Sequence, residues 1–228
     1  MASDFCHCWA GRYFFIWGLA WRERKGLPTR ELADSVIRRL LAGMQRGFLF
    51  VAMWPITPAW LATAMGLAFV IPFLVNFSYD WLVASAVVDP TAPGHQRLLA
   101  RWQRWAYGPV ALGMRLLTAG ALVVMIGQGL THWEALRAGL AAAGVPDEIA
   151  FILVGMGLLL TPLLALGVAP RLTAVLLYFP VGFSLLAGSS FWPGLVAMYG
   201  LTAVILLGPG PLALWQPEAR AFTQRLGS

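Results

Sequence analysis

The chain has 228 residues, 59% of them hydrophobic and 11% charged, with a net charge of +6 at pH 7. A soluble domain carries about 25% charged residues, so water cannot face much of this exterior and lipid is expected there instead. The cationic excess comes without a nucleic-acid-binding motif and matches the bias of Lys and Arg towards the cytoplasmic side of membrane proteins, so nucleic acid is excluded as a partner.

In chain order, residues 1–46 read as a basic N-terminal region with interfacial or amphipathic helices. Tyr13–Trp21 is apolar but short, runs into Arg22, Glu23, Arg24 and Lys25, and lacks a small-residue cleavage site, so no cleavable signal is expected. Its aromatic character suits a segment lying in the interface. Thr29 is placed to cap a helix beginning near Arg30. Val36, Leu40 and Gly43 share one side of that helix, away from Arg38, Arg39 and Arg46, which predicts an amphipathic surface helix. Cys6, His7 and Cys8 suit zinc or copper by type, but a structural zinc site takes four ligands and no second cysteine pair exists, so no metal site is expected.

Residues 47–106 hold the N-terminal membrane segment or segments and a basic linker. Trp60–Phe77 is the best single span, and Pro55 and Pro58 mark a turn or kink before it, because proline removes a backbone donor. In the linker, Arg97, Arg101 and Arg104 are spaced to line one helical face.

Residues 107–215 read as four spans. Tyr107–Gln128 is the first, followed by a polar loop, Gly129–Asp147. The apolar blocks Ile149–Leu166, Leu172–Gly188 and Gly194–Leu207 follow, broken only by short turns. Each approaches the roughly 20 residues a helix needs to cross hydrocarbon, and the short turns make neighbours antiparallel. Residues 216–228 form a basic tail with Arg220 and Arg225, expected in the cytoplasm. Tryptophans beside the apolar ends, among them Trp54, Trp60, Trp133, Trp192 and Trp215, form an interfacial belt.

The positive-inside rule places Arg97–Arg104, Arg171 and the tail inside, and the acidic Thr131–Glu148 loop and Ser189–Pro193 outside. A basic N-terminal region that is also inside requires an even number of crossings before Arg97, by a hairpin or a re-entrant limb broken at Pro55–Pro58. A single crossing with the N-terminus outside is the rival. The fold class is therefore all-α: an integral membrane helical bundle of four core transmembrane helices plus one or two N-terminal membrane segments.

From about Tyr107 to Trp215 several features recur in a fixed order. Arg115 opens the first helix, and Trp133 and Gly144–Pro146 lie in the following loop. Gly167 to Arg171 closes the second helix as Gly-x-x-x-Arg, Phe191–Trp192 precedes the last, and Leu207–Gly210 ends it as Leu-Gly-Pro-Gly. In this order the segment resembles the DoxX/DoxD family of four-helix membrane proteins. The resemblance implies an auxiliary or quinone-interacting subunit of a membrane redox system of the thiosulfate:quinone oxidoreductase type. It also implies a multi-pass location in a bacterial or archaeal cytoplasmic (inner) membrane. The chain departs from the family at three places. Val154–Leu159 lacks an early glutamate, Phe183–Ser189 lacks a histidine, and Ala213–Trp215 replaces a Ser-Leu-Asp. The polar groups that serve redox chemistry in relatives are mostly gone, and the alternative reading is a small transporter or lipid-binding membrane protein.

The candidate ligand-binding residues are Arg115, Gln128, His132, Glu134 and Asp80. An intramembrane arginine is costly, about 2.5–3.5 kcal/mol on insertion scales. Arg115 is thus expected either to bind a quinone oxygen or lipid phosphate, with Asp80 as its ion-pair partner, or to snorkel to the headgroups. Gln128, His132 and Glu134 cluster after the first span, where an imidazole beside an acid offers a proton path to a quinone; the alternative is plain interfacial chemistry. No catalytic residue is assigned. No cofactor is evident, a quinone being the one that fits. The expected partners are the lipid bilayer and either a protein partner or a second copy in the membrane.

Overall fold

The structure, a computed structural model, describes residues 2–32, 36–55, 57–188 and 190–217. Cys6, His7 and Cys8 fall within its first helix, but their side chains, like Arg220 and Arg225 of the tail, lie outside what is described. Among the described residues the fold is all-α, with a single isolated bridge between Val168 and Trp215. In order the helices are α1 (Ala2–Arg24), α2 (Val36–Ala52), α3 (Ala59–Ala84), α4 (Pro93–Trp105), α5 (Ala111–Thr131), α6 (Trp133–Ala142), α7 (Asp147–Leu166), α8 (Pro170–Leu186) and α9 (Phe191–Leu207). A π-helical turn, Ala106–Val110, joins α4 to α5.

Three stretches are long and apolar enough to cross a membrane: Ala59–Ala84, the joined run Pro93–Thr131, and Asp147–Leu166. α8 and α9 are apolar with 17 residues each, the lower end of the spanning range. The exposed surface of these helices is studded with Leu, Val, Ile and Phe, including Leu74, Val123, Phe151, Leu159 and Leu172. This is an exterior suited to lipid rather than water.

α5, α7, α8 and α9 form the centre, with α9 packed most extensively on α5 and α8. The buried core runs through Leu122, Leu164, Leu177, Val181, Met198 and Leu201, all inaccessible or nearly so. Neighbours run antiparallel, as the short turns predict. Thr118 of α5 meets Gly200 of α9, while near the opposite end Ser190 donates to the Met125 carbonyl at 3.5 Å. The α5 start, α7 end, α8 start and α9 end therefore share one end of the bundle, called here the clasp end. α6 caps the far end, burying Leu136 and Leu140.

α2 and α3 form a hairpin, with α2 ending at Ala52 and α3 starting at Ala59. Phe48 packs on Phe69, and Arg38 pairs with Asp80. α2 is continuous through residues 46 and 47, so the boundary expected there falls inside a helix. In the same way α4, the π turn and α5 run on through residues 106 and 107. α3 outlasts the expected Trp60–Phe77 span, continuing to Ala84, because the acid that breaks its hydropathy is satisfied: Asp80 accepts from Asn76 at 3.0 Å and lies 3.6 Å from Arg38.

α1 is one continuous helix beside α3, its Phe15 meeting Phe77 and Trp81 edge-on. Thr29 caps nothing. Residues 27–32 are non-helical, held by Arg30, whose amide donates to the Ala84 carbonyl at 2.9 Å and whose guanidinium donates to Asp89 at 2.6 Å.

The Arg30 pair, with the Thr91 amide and hydroxyl, holds the Asp89 carboxyl well below the usual carboxylate range. A depressed folded-state pKa contributes stability that is present above the unfolded value of about 3.9 and is lost as pH falls below it. Asp89→Asn should therefore lower the melting temperature at pH 7 by a small amount. The difference between variant and wild type should shrink as pH is taken below about 4, read by thermal scans across that range.

Candidate functional site

Two features organise the chemistry: a polar clasp at one end and an apolar cleft in the side. The clasp is built from the C-terminus of α9. α9 stops at Gly208, and the chain turns back through Pro209 and Gly210 to lie across the α7–α8 corner. There the Ala169 amide donates to the Trp215 carbonyl at 2.9 Å, and the Trp215 amide donates to the Gly167 carbonyl at 3.3 Å. Arg115, 2% exposed, rises from the second turn of α5 into the middle of this arrangement. Its Nη1 donates to the Pro209 carbonyl at 2.5 Å and its Nη2 to the Leu212 carbonyl at 3.4 Å.

Among the described residues Arg115 thus has no carboxylate partner. Its charge is met by carbonyls and by the C-terminal ends of α7 and α9, both of which carry the negative pole of a helix dipole. Gly167, with φ of 72°, closes the α7 corner over it; a Cβ there would lie 2.6 Å from Arg115 Nη1. Arg171 lies alongside, its Nη2 3.0 Å from where a Cβ on Gly208 would be.

The other expected site residues are not gathered round Arg115. Asp80 belongs to the α2–α3 hairpin and pairs with Arg38, so the expected Asp80–Arg115 ion pair does not form. Gln128, His132 and Glu134 lie at the far end, about 20 Å or more along α5 from Arg115 at 1.5 Å per residue. His132 is the exposed hinge residue between α5 and α6. Glu134 is 84% exposed at its side chain and lies 3.6 Å from Arg137, which also binds Asp147. Those three residues offer a solvated rim rather than an enclosed pocket.

An apolar space lies elsewhere. A cleft of about 110 Å³ opens between the α2–α3 hairpin and α8, with Trp54, Leu61, Met65, Phe179, Gly182 and Phe183 among its walls. Both of its hydroxyls are already engaged. The Tyr178 hydroxyl bonds Thr202 and donates to the Met198 carbonyl at 3.2 Å, and the Thr57 hydroxyl donates to the Val51 carbonyl at 2.7 Å. Gly182 presents no side chain, and a Cβ there would meet nothing within 4 Å. Nothing in the sequence marks this cleft, because a glycine inside an apolar membrane helix is ordinarily a packing position. A smaller cavity of about 30 Å³, the size of a water or two, sits under α6 between Met125, Leu153 and Ser184.

These features define a class: an all-α bundle with a lipid-suited exterior, a polar lock at one end and an apolar lateral cleft. No protein-family model, curated protein or solved structure matches the chain.

Proposed function

We propose that this protein is an integral membrane bundle of DoxX/DoxD type that holds one apolar, chain-bearing molecule, a quinone tail or a lipid acyl chain, in the cleft beside Gly182. The observation that carries the ligand class is the cleft wall: aliphatic and aromatic side chains, with both hydroxyls already spoken for. Such a wall suits a hydrocarbon chain. It does not suit the reduction of a quinone head, which takes up protons, because no His, Asp, Glu, Lys or Arg lines it. The role is accordingly binding and auxiliary, not catalytic, and its setting in a membrane redox system rests on the family resemblance.

The clasp supports the resemblance. Arg115, Gly167 to Arg171 and Leu207–Gly210, three of the features that carry it, converge on one locus. The cationic linker of α4 and Arg171 leave the bundle at that same end, which supports a cytosolic clasp end by the positive-inside rule.

Binding is tested with purified protein and spin-labelled stearic acid, read as the motionally restricted fraction of the spectrum. Wild type should show that fraction, and Gly182→Leu, which fills the cleft, should cut it by about tenfold. Displacement by a long-tailed ubiquinone assigns the cleft to quinones, and displacement by phospholipid alone assigns it to lipids. A restricted fraction equal in wild type and Gly182→Leu would refute the proposal.

A further inference from the structure

α4 is open along its length: Pro93–Trp105 contains no buried residue. It carries Arg97, Arg101 and Arg104 and no acid. Among the described residues none of the three has an ion-pair partner, although each would gain from one. On a helical wheel the arginines cluster on one side, while Leu98, Trp102 and Trp105, exposed by 53%, 67% and 59%, fall on the adjoining side.

Two contacts fix where this helix lies. At its start His95 stacks on Tyr79 of α3, with Nε2 and the hydroxyl 3.2 Å apart. At its end the π turn bends the chain into α5, with Gly108 at φ −96°, ψ −109°, outside the helical region. α4 is therefore held at the clasp end at both its termini while its two functional sides stay open. In sequence its apolar side leads into the exposed Tyr107, Val110, Leu116 and Leu117 of the spanning run.

We infer that α4 is a headgroup-binding helix: it lies along the bilayer surface with Trp102 and Trp105 in the interface and its three arginines on the phosphates of anionic phospholipid. The occupant follows from charge and chemistry. Three unpaired cations beside an indole pair match an anionic lipid surface, where basic residues close to the surface are attracted and tryptophans settle at headgroup depth. The bend at Gly108 lets a surface helix feed a spanning one.

The test uses the full chain with Cys6→Ser, Cys8→Ser and Trp102→Cys, labelled with an environment-sensitive fluorophore. It is reconstituted into nanodiscs of phosphatidylcholine alone or of phosphatidylcholine with phosphatidylglycerol. Quenching by acrylamide should fall about fivefold when phosphatidylglycerol is present. High salt should reverse much of that protection. The triple variant Arg97→Gln, Arg101→Gln, Arg104→Gln should abolish it while leaving stearic-acid binding unchanged, since those residues contact neither core nor cleft. Equal quenching in the two lipid compositions would overturn the inference. So would protection that persists in detergent or in the triple variant, which would mark α4 as a site for another protein.

Discussion

Arg115→Leu should cost this protein about 3 kcal/mol of stability, a fall in melting temperature of about 10 °C for a chain of this size. The substitution takes the guanidinium donor from the half-buried Pro209 carbonyl and from the carbonyl of the exposed Leu212. A hydrogen bond from a charged donor is worth about 1.5–3 kcal/mol, and most of the loss falls at Pro209, where water reaches the carbonyl least. Arg115→Lys should recover only part of the loss, because one ammonium cannot reproduce a planar fork reaching two carbonyls at once.

Gly167→Ala attacks the same lock from the other side, forcing a Cβ to 2.7 Å from Ala213 Cα at a backbone φ of 72°. If both residues act through one clasp, the double variant should cost less than the sum of the singles. Thermal scans of the four proteins in one detergent measure this. An Arg115→Leu protein as stable as wild type would show that the guanidinium is held for a ligand and not for the fold.

Gly200→Ala should be as damaging in the opposite sense, by overfilling. α5 and α9 lie close together where Gly200 faces Thr118, and a new Cβ would lie 2.1 Å from Thr118 Oγ1 and 3.1 Å from its Cβ. Thr118 is fully buried, and its hydroxyl donates to the Met114 carbonyl at 2.6 Å, so it cannot swing away without losing that bond. Overpacking of this kind costs about 1–3 kcal/mol. Because the clash is with the hydroxyl oxygen, Thr118→Ala should restore much of the stability of the Gly200→Ala protein, whereas Thr118→Ser, which keeps the oxygen, should not. Equal rescue by Ala and Ser would mean that the helices simply part to admit the methyl. Small residues at such crossings are how membrane helices bring their backbones together without a hydrophobic drive.

Much of the scaffold is legible in the sequence, for a physical reason. The blocks ending at Leu166 and Leu207 end as helices at those residues, and the block ending at Gly188 runs as a helix to Leu186, because a lipid-facing helix must be apolar all round and its glycine and proline stops are explicit. The spacing of Arg97, Arg101 and Arg104 likewise announces α4. α6 is less plain: Trp133, Leu136 and Leu140 carry the helical spacing, but the polar residues between them read as a loop.

What hydropathy cannot supply is the partner of a polar group. Arg115 is a costly residue in any linear reading, and an acid such as Asp80 is the natural guess for its counter-charge. The actual counter-charge is a set of backbone carbonyls, which every residue owns and no sequence pattern marks. The cleft is hidden for a related reason, since Gly182 differs from a packing glycine only in that no neighbouring helix arrives to fill its space.

The account centres on an apolar ligand held in that cleft. The most direct measurement is mild-detergent purification of wild type and Gly182→Leu from the membranes in which the chain is made, followed by solvent extraction and mass spectrometry of the bound small molecules. The account predicts a stoichiometric quinone or lipid that survives detergent exchange in wild type and is missing from Gly182→Leu, with both proteins equally folded. The same bound molecules in the same amounts from both proteins would contradict it.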